Sequence, residues 1–328
     1  MNLQRRTLLA ASAGGLCAAA APLFAQGAWP QKPLKFIVPN APGSSVDTIG
    51  RLLMAELSRL LQQAAVADNR AGAAGALGAE AARTAPADGH TLLIGSTTAI
   101  STAPLLQKAA RYDPLADFEL ISLVALLPNV LVCHPGLPVK SVKDLIAYAK
   151  AKGPKGDQSN MASAGIGSAS HLAGIAFQAA AGFTSVHVPY KGGSQGVASV
   201  VSGETDWVLT PAPAAMSLVA GNRLRLLGHS LGVNARPLGD TPSLAATVPG
   251  FEFAGWIGLL GPKGLPAPVT AALGDAVAKA LQSRELMQAF ELNGAVASAS
   301  SPLDFRRFLE RDIATNKKAI AIAGILPE

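Results

Sequence analysis

The sequence predicts an α/β fold of two lobes, each a mostly parallel sheet flanked by helices, and three observations carry that expectation. Strand-like and helix-like segments alternate along nearly the whole chain, the pattern of sheets joined by helical crossovers. At 328 residues the chain exceeds one ordinary hydrophobic core. Two segments, near 122–134 and 224–232, pass from one group of elements to the other and supply a two-strand hinge. On that basis residues 26–123 with 232–328 form a discontinuous first lobe and 124–231 the second.

In order along the first group, Leu34–Val38 is an apolar run halted by Pro39 and reads as a strand. Val46–Leu61 then carries Ile49, Leu52, Leu53, Leu57, Leu60 and Leu61 at helical spacing. A short strand near Val66, a helix over Ala76–Arg83 and a strand over Thr91–Ile94 follow, the last entered through the turn Asp88-Gly89. In the second group Val130–Cys133 is a strand, and Ser141 caps a helix over Val142–Lys150. Beyond a polar loop at Lys152–Ser159 come strands at Asn160–Ala162, Val186–Val188, Trp207–Leu209 and Leu224–Leu227. They alternate with helices over Ser168–Ala180, Gln195–Val201 and Pro213–Ala220. Proline and glycine then punctuate Thr241–Pro268 around the apolar stretch Trp256–Leu260. Helices over Pro268–Gln282, Arg284–Leu292 and Pro302–Ile322 complete the series.

Residues 1–25 read as an export signal. Arg5-Arg6 precede an uncharged, glycine-containing apolar run ending at Phe24-Ala25, too short for a span of ~20 apolar residues. Paired arginines fit the twin-arginine route, with an ordinary secretory signal as the alternative, and either implies a soluble periplasmic protein. Cys17 follows Leu16 and so lacks the small preceding residue of a lipoprotein acceptor. Cys133, in an apolar run, reads as a buried structural thiol. Without residues 1–25, which contribute Arg5 and Arg6, 25 basic and 21 acidic residues leave a net charge of +4. That excess is too small and too evenly spread for nucleic-acid binding and is compatible with a small anionic partner.

The chemistry concentrates in three glycine- and serine-rich turns, each leaving a strand and opening a helix. The first runs through Asn40, Ala41, Gly43, Ser44, Ser45 and Asp47. The second runs through Ser163, Ala164, Gly165, Gly167 and Ser168, and the third through Tyr190 and Lys191 to Gly193. Free N–H groups and the positive end of the helix dipole attract anions at such turns, and ligands of open α/β sheets bind at these strand ends. Ser96 and Thr97, after another strand, add hydroxyls. Asp47 and Arg51, four apart on a helix, read as an exposed ion pair, and Lys191 as a solvent-facing cation. His171 is expected to bond to its own turn. Neighbours in a strand point to opposite faces, so Cys133 and His134 make no dyad. No metal-ligand pattern, phosphate loop or nucleophile elbow is present in the sequence, so neither a metal nor a cofactor is expected.

These residues resemble the substrate-binding proteins of tripartite tricarboxylate transporters, the Bug-type receptors. The likeness runs from Trp29-Pro30-Gln31-Lys32-Pro33 through Pro42-Gly43 to Asp47 and Arg51, Asn69-Arg70-Ala71-Gly72, and Pro86-Ala87-Asp88-Gly89. It continues through Tyr112-Asp113-Pro114, Ser163-Ala164-Gly165 to His171, His187-Val188-Pro189-Tyr190-Lys191-Gly192, and Trp256 to Pro262. The resemblance implies a two-lobed periplasmic-binding fold (type II-like) without catalytic activity, closing around an organic carboxylate and delivering it to two integral membrane subunits. It also implies that main-chain donors, hydroxyls and water hold the carboxylate. Three departures stand out: Asn40 where an aromatic is common, Ser44 where a second glycine is common, and Thr210 where many members carry aspartate. A monomer is expected. The rival readings are an exported serine-type hydrolase, which needs a histidine and a carboxylate converging on one serine, and a ligand sensor for a signalling kinase. An effector domain of a transcription regulator shares the fold but lacks a DNA-binding module here.

Overall fold

The computed structural model describes residues 29–152, 158–231 and 236–327; the export-signal reading of residues 1–25 lies outside the described residues. Apolar strands buried on both faces form the centre of the molecule. In the first half β1 (Leu34–Val38) pairs in parallel with β2 (Ala65–Asn69) and β3 (Thr91–Ser96). The long strand β4 (Phe118–Cys133) leaves this half and enters the second. There its end pairs antiparallel with β7 (Trp207–Pro211), which is parallel to β5 (Asn160–Ser163), itself parallel to β6 (Val186–Pro189). Strand β8 (Arg225–His229) also pairs with the end of β4. Strand β9 (Ala254–Pro262) returns to the first half between β3 and β4, and β10 (Val296–Ala297) pairs with β4. The path is therefore β2-β1-β3-β9-β4-β7-β5-β6.

The outer strands run parallel, as expected, whereas every pairing of β4 and β9 is antiparallel. Topology requires this. One strand carries the chain outward between halves, and the returning segment hydrogen-bonds alongside it in the opposite direction.

The helices are α1 (Ser45–Leu61), α2 (Ala76–Arg83), α3 (Ala103–Leu106), α4 (Val142–Lys152), α5 (Ala169–Ala181), α6 (Gly193–Ser202), α7 (Met216–Ala220), α8 (Ala267–Ala280), α9 (Arg284–Leu292) and α10 (Pro302–Ala323). A π-helical turn, Thr97–Thr102, joins β3 to α3. The period of two in the strands divides the core. Phe36, Leu92, Ile94, Ile257 and Leu259 pack with Ile49, Leu53, Leu273 and Phe290 on one face. Ile37, Leu93, Trp256 and Leu260 pack with Ala79 and Phe305 on the other. In the second half Leu131, Cys133, Met161 and Trp207 meet Phe177, while Val130, Val132 and Val208 meet Val197 and Val200. Each large side chain buried in this way contributes on the order of 1.5–3 kcal/mol. Burial pushes the Cys133 thiol up to about 11, in keeping with a packing role.

The two crossings meet in a buried knot. Asn129 and Ser230 exchange bonds, Asn129 N to Ser230 Oγ at 2.9 Å and Ser230 N to Asn129 O at 2.9 Å. Asn129 Nδ2 donates to Phe253 O at 2.8 Å, and Phe253 N donates to Ser230 O at 3.0 Å. These bonds tie the end of β8 and the residues before β9 to β4.

Helix α10 makes a third connection. It starts at the N-cap Ser301, whose Oγ accepts from Asp304 N at 3.1 Å. Its 22 residues extend roughly 33 Å at 1.5 Å per residue. Phe305 and Leu309 pack in the first half, Ala319 and Ile320 in the second. Between them Asp312 accepts from Trp256 Nε1 at 2.7 Å and from Ser101 Oγ. Burial pushes its carboxyl up to about 6 against these bonds, which pull it down. A carboxyl raised above its usual value binds its proton more tightly when folded. Its ionisation therefore removes stability as pH rises from about 4 to about 6. Asp312→Asn keeps an acceptor for Trp256 and Ser101 but carries no charge. Thermal unfolding across pH should show the variant more stable than wild type above about pH 6, by on the order of 2–3 kcal/mol, with the advantage vanishing near pH 4. Parallel curves over that range would refute a buried ionised Asp312.

Candidate functional site

The carboxyl ends of β1, β3, β5, β6 and β7 carry the candidate turns, and two of these turns have the same construction. At the first, Gly43 has φ +76° and Ser44 is the N-cap of α1 with φ −70° and ψ 162°. Ser44 N donates to Ala41 O at 3.2 Å, Ser44 Oγ accepts from Asp47 N at 3.2 Å, and Asp47 Oδ2 accepts from Gly43 N at 2.9 Å. At the second, Gly167 has φ +71° and Ser168 is the N-cap of α5 with φ −68° and ψ 160°. Ser168 N donates to Gly165 O at 3.2 Å, Ser168 Oγ accepts from His171 N at 3.3 Å, and His171 Nδ1 accepts from Gly167 N at 3.1 Å. Each is a reciprocal capping box of sequence Gly-Ser-x-x-acceptor, with Asp47 in one half and His171 in the other. The positive φ of both glycines is what lets the chain enter the helix this way.

The boxes leave the next N–H groups of each helix, Ser45 and Val46 in α1 and Ala169 and Ser170 in α5, without an intrahelical acceptor. None of these four is bonded to another main-chain group among the described residues. Ser44 and Ser168 thus spend their hydroxyls on their own helices. Ser168 Oγ also donates to Gly165 O at 2.6 Å. They orient N–H donors instead of adding separate ones.

Asp47 is buried, which corrects the expectation of an exposed pair. Both its oxygens receive Arg51 Nε, at 2.9 and 3.0 Å, and Oδ1 also accepts Asn69 Nδ2 at 2.8 Å. Burial alone would raise its pKa; the bonds from Arg51, Asn69 and Gly43 outweigh it and hold the carboxyl below the usual range. With those donors in place Asp47 positions the first turn. Asn69 also donates to Asn40 O at 3.0 Å, a clamp from β2 that reading α1 alone does not reveal.

The other candidates divide by what they offer. Ala41 and Gly43 are exposed, and Asn40 and Ser45 half-buried, at the mouth of the first turn. Ser96 Oγ accepts from Ala99 N at 3.4 Å, and Thr97 Oγ1 accepts from Trp256 N at 3.0 Å, so both brace the π-helical turn. Thr210 is buried in β7 opposite Val130, beside the hinge knot. Ala164 N donates to Ser170 Oγ at 2.9 Å and Gly165 N to Ser163 Oγ at 3.0 Å, which uses both donors within the turn. The Tyr190 ring packs on the valine-rich core of the second half, so this residue reaches the turn through its main chain, with Tyr190 N donating to Ser163 O at 3.1 Å. Lys191 is exposed and has no ion-pair partner among the described residues. Its N–H donates to Gln195 Oε1 at 3.2 Å, while at Gly192 and Gly193 an added Cβ would meet nothing within 4 Å.

His187 was not among the expected site residues. Its Nε2 lies 2.6 Å from Ser163 Oγ, and its ring stacks on His171 at 3.9 Å and 12°. This is a serine–histidine contact, yet Ser163 is fully buried and its oxygen already accepts Gly165 N. The second ring lies on the face of the first, and among the described residues no carboxylate is bonded to His187 as a triad requires. Burial, and for His171 the neighbouring ring as well, lowers both imidazoles, His171 to about 4. Among the described residues no group of three His, Cys, Asp or Glu side chains is arranged for a metal ion, and no helix is long and apolar enough to cross a membrane.

Comparison with known proteins gives this geometry a family. Residues 49–325 match the family model described as "Tripartite tricarboxylate transporter family receptor". Protein BugT of Bordetella pertussis is 32% identical over 296 residues, covering 90% of each chain. A Rhodopseudomonas palustris protein solved with adipate superposes with a TM-score of 0.84 at 32% identity, covering 92% of this chain and all of that one. MatC of the same organism, solved with bound malate, gives 0.78 at 25% identity, covering 89% of this chain and all of that one. With most of its length matched by the family model and by relatives above 30% identity, the chain belongs to the tripartite tricarboxylate transporter receptor family.

Proposed function

We propose that this protein is a periplasmic receptor that closes two lobes, residues 26–123 with 232–328 and residues 124–231, around a small dicarboxylate. It then delivers the ligand to the two membrane subunits of a tripartite transporter. The carrying observation is the matched pair of capping boxes on opposite halves. Each leaves a pair of N–H groups at a helix start without a main-chain acceptor, which supports two like receivers for two like anionic ends. The adipate and malate held by the two R. palustris relatives are both dicarboxylates. Arg5 and Arg6 of the segment 1–25 support export by the twin-arginine route.

The test is calorimetry with four- to six-carbon dicarboxylates against monocarboxylates of equal length. An interaction with a charged group contributes about 1.5–3 kcal/mol. Removing one carboxylate should therefore weaken binding roughly ten- to a hundredfold, at about 1.4 kcal/mol per tenfold. Equal affinity for the two series would refute a two-ended ligand.

A further inference from the structure

The two capping boxes differ in one respect that matters for a receptor of the kind proposed above. We propose that His171 is the proton-sensitive positioning residue of the cleft: with Nδ1 unprotonated it holds the Gly167 N–H and keeps the second turn aimed at the ligand, and its protonation releases that turn and the ligand with it. The geometry supplies the reason. Gly167 N donates to Nδ1, so that nitrogen is an acceptor and the ring proton sits on Nε2. Protonating Nδ1 replaces an acceptor by a donor facing a donor, and the box opens. In the first half the corresponding acceptor is the Asp47 carboxyl, braced by Arg51 and Asn69, which keeps an accepting oxygen even when protonated, whereas an imidazolium has none. One receiver is therefore proton-resistant and the other proton-sensitive.

The surroundings isolate this titration. His187, stacked at 3.9 Å and in contact with Ser163, is the titratable side chain facing His171. Strands β5 and β7, which flank α5, contain no titratable residue. On α10 the buried positions near α5 are Asn316, Ala319 and Ile320, Lys317 and Lys318 are exposed, and Asp312 is tied to Trp256 and Ser101. Leu106 of α3 lies against Gly167, where an added Cβ would fall 2.6 Å from Leu106 Cδ1, and Lys108 beyond it is exposed. The low imidazole pKa, set first by burial and then by His187, places the release well below an ordinary histidine's midpoint.

This inference rests on the receptor reading for its ligand but not for its first measurement. In isotope-labelled protein without ligand, the Gly167 amide should shift with the same midpoint as the His171 ring, below the ordinary value of about 6.5. Adipate and malate binding is then measured near pH 7.5 and near pH 3 for wild type and His171→Gln, since glutamine at this box position accepts without titrating. Protonation of the ligands is common to both proteins. Wild type should lose up to about tenfold more affinity on acidification than the variant, the most that a midpoint near 4 allows one pH unit below it. Equal losses, or a wild-type affinity that rises in acid, would overturn the proposal, as would a Gly167 amide indifferent to His171. If neither acid binds at either pH, the receptor reading fails for these ligands while the coupled titration still decides the role of His171.

Discussion

Asp47→Ala should lower stability by about 2–3 kcal/mol and weaken dicarboxylate binding by roughly a hundredfold or more. The carboxylate receives Gly43 N, Arg51 Nε and Asn69 Nδ2, and alanine leaves all three without their acceptor. Arg51 is half-exposed and turns to water at little cost, and Gly43 is exposed. The penalty falls on Asn69 and on the shape of the turn. A charge-assisted bond contributes about 1.5–3 kcal/mol, and a lost cap costs about 1. Binding suffers more than stability because the free N–H groups of Ser45 and Val46 lose their aim. Denaturant unfolding and calorimetry on the same variant separate the two effects. Asp47 is held below its usual value of 3.8, so its contribution is complete above that pH and disappears as pH falls through the lower folded value. Wild type and variant should therefore converge in stability once the pH has fallen through that value. A variant that unfolds and binds like wild type at neutral pH would remove Asp47 from this role.

Gly196→Ala should be nearly as damaging, for a steric reason. Glycine 196 sits in α6 where an added Cβ would lie 2.9 Å from Ser163 O and 3.2 Å from Ser163 C. Those are backbone atoms at the end of β5, so no side chain can swing aside. Helix α6 must lift, and Ser163 and the second turn move with it, together with the third turn at the start of α6. Overpacking of this kind costs about 1–3 kcal/mol. Affinity should fall by at least roughly tenfold, since a displacement near 1 Å misaims donors in two turns. Gly193→Ala is the comparison, because a Cβ there meets nothing within 4 Å. Equal behaviour of the two variants would show that close packing on Ser163 is unimportant.

How much of this was legible in the sequence follows from how local each signal is. Helix α1 and strands β1 and β3 announced themselves through periodicity and flanking turns. The three turns were visible because glycine and serine follow each strand directly. Strand β9 read only as an apolar stretch. It is buried on both faces and therefore shows no alternation, and Gly255, Gly258 and Gly261 interrupt it. Of the 16 residues of β4 only Val130–Cys133 stood out, since Pro128 falls inside the strand. The burial of Asp47 was hidden because its second partner, Asn69, comes from another strand. His187 acquires meaning only once β6 lies beside β5 and brings it to Ser163. Serine hydroxyls as direct donors were a natural expectation, but a capping side chain turns back to its own helix, and only the coordinates reveal that direction.

The place of β9 in the sheet sets an order of assembly. The strands of the second half, from the end of β4 to β8, lie in one continuous stretch of chain, so most of the core around Trp207 can form before Phe251 and the Ala319 and Ile320 of α10 complete it. The first half cannot. Until β9 arrives, β3 and β4 each keep an open edge in their shared sheet, and Trp256 has not joined its core. The polypeptide must emit every strand of the second half before the strand that closes the first, a long-range closure that favours slow, late completion. A precursor interrupted in that interval presents unpaired strand edges to chaperones and proteases, with one half short only of its late-arriving core residues and the other still awaiting its central strand.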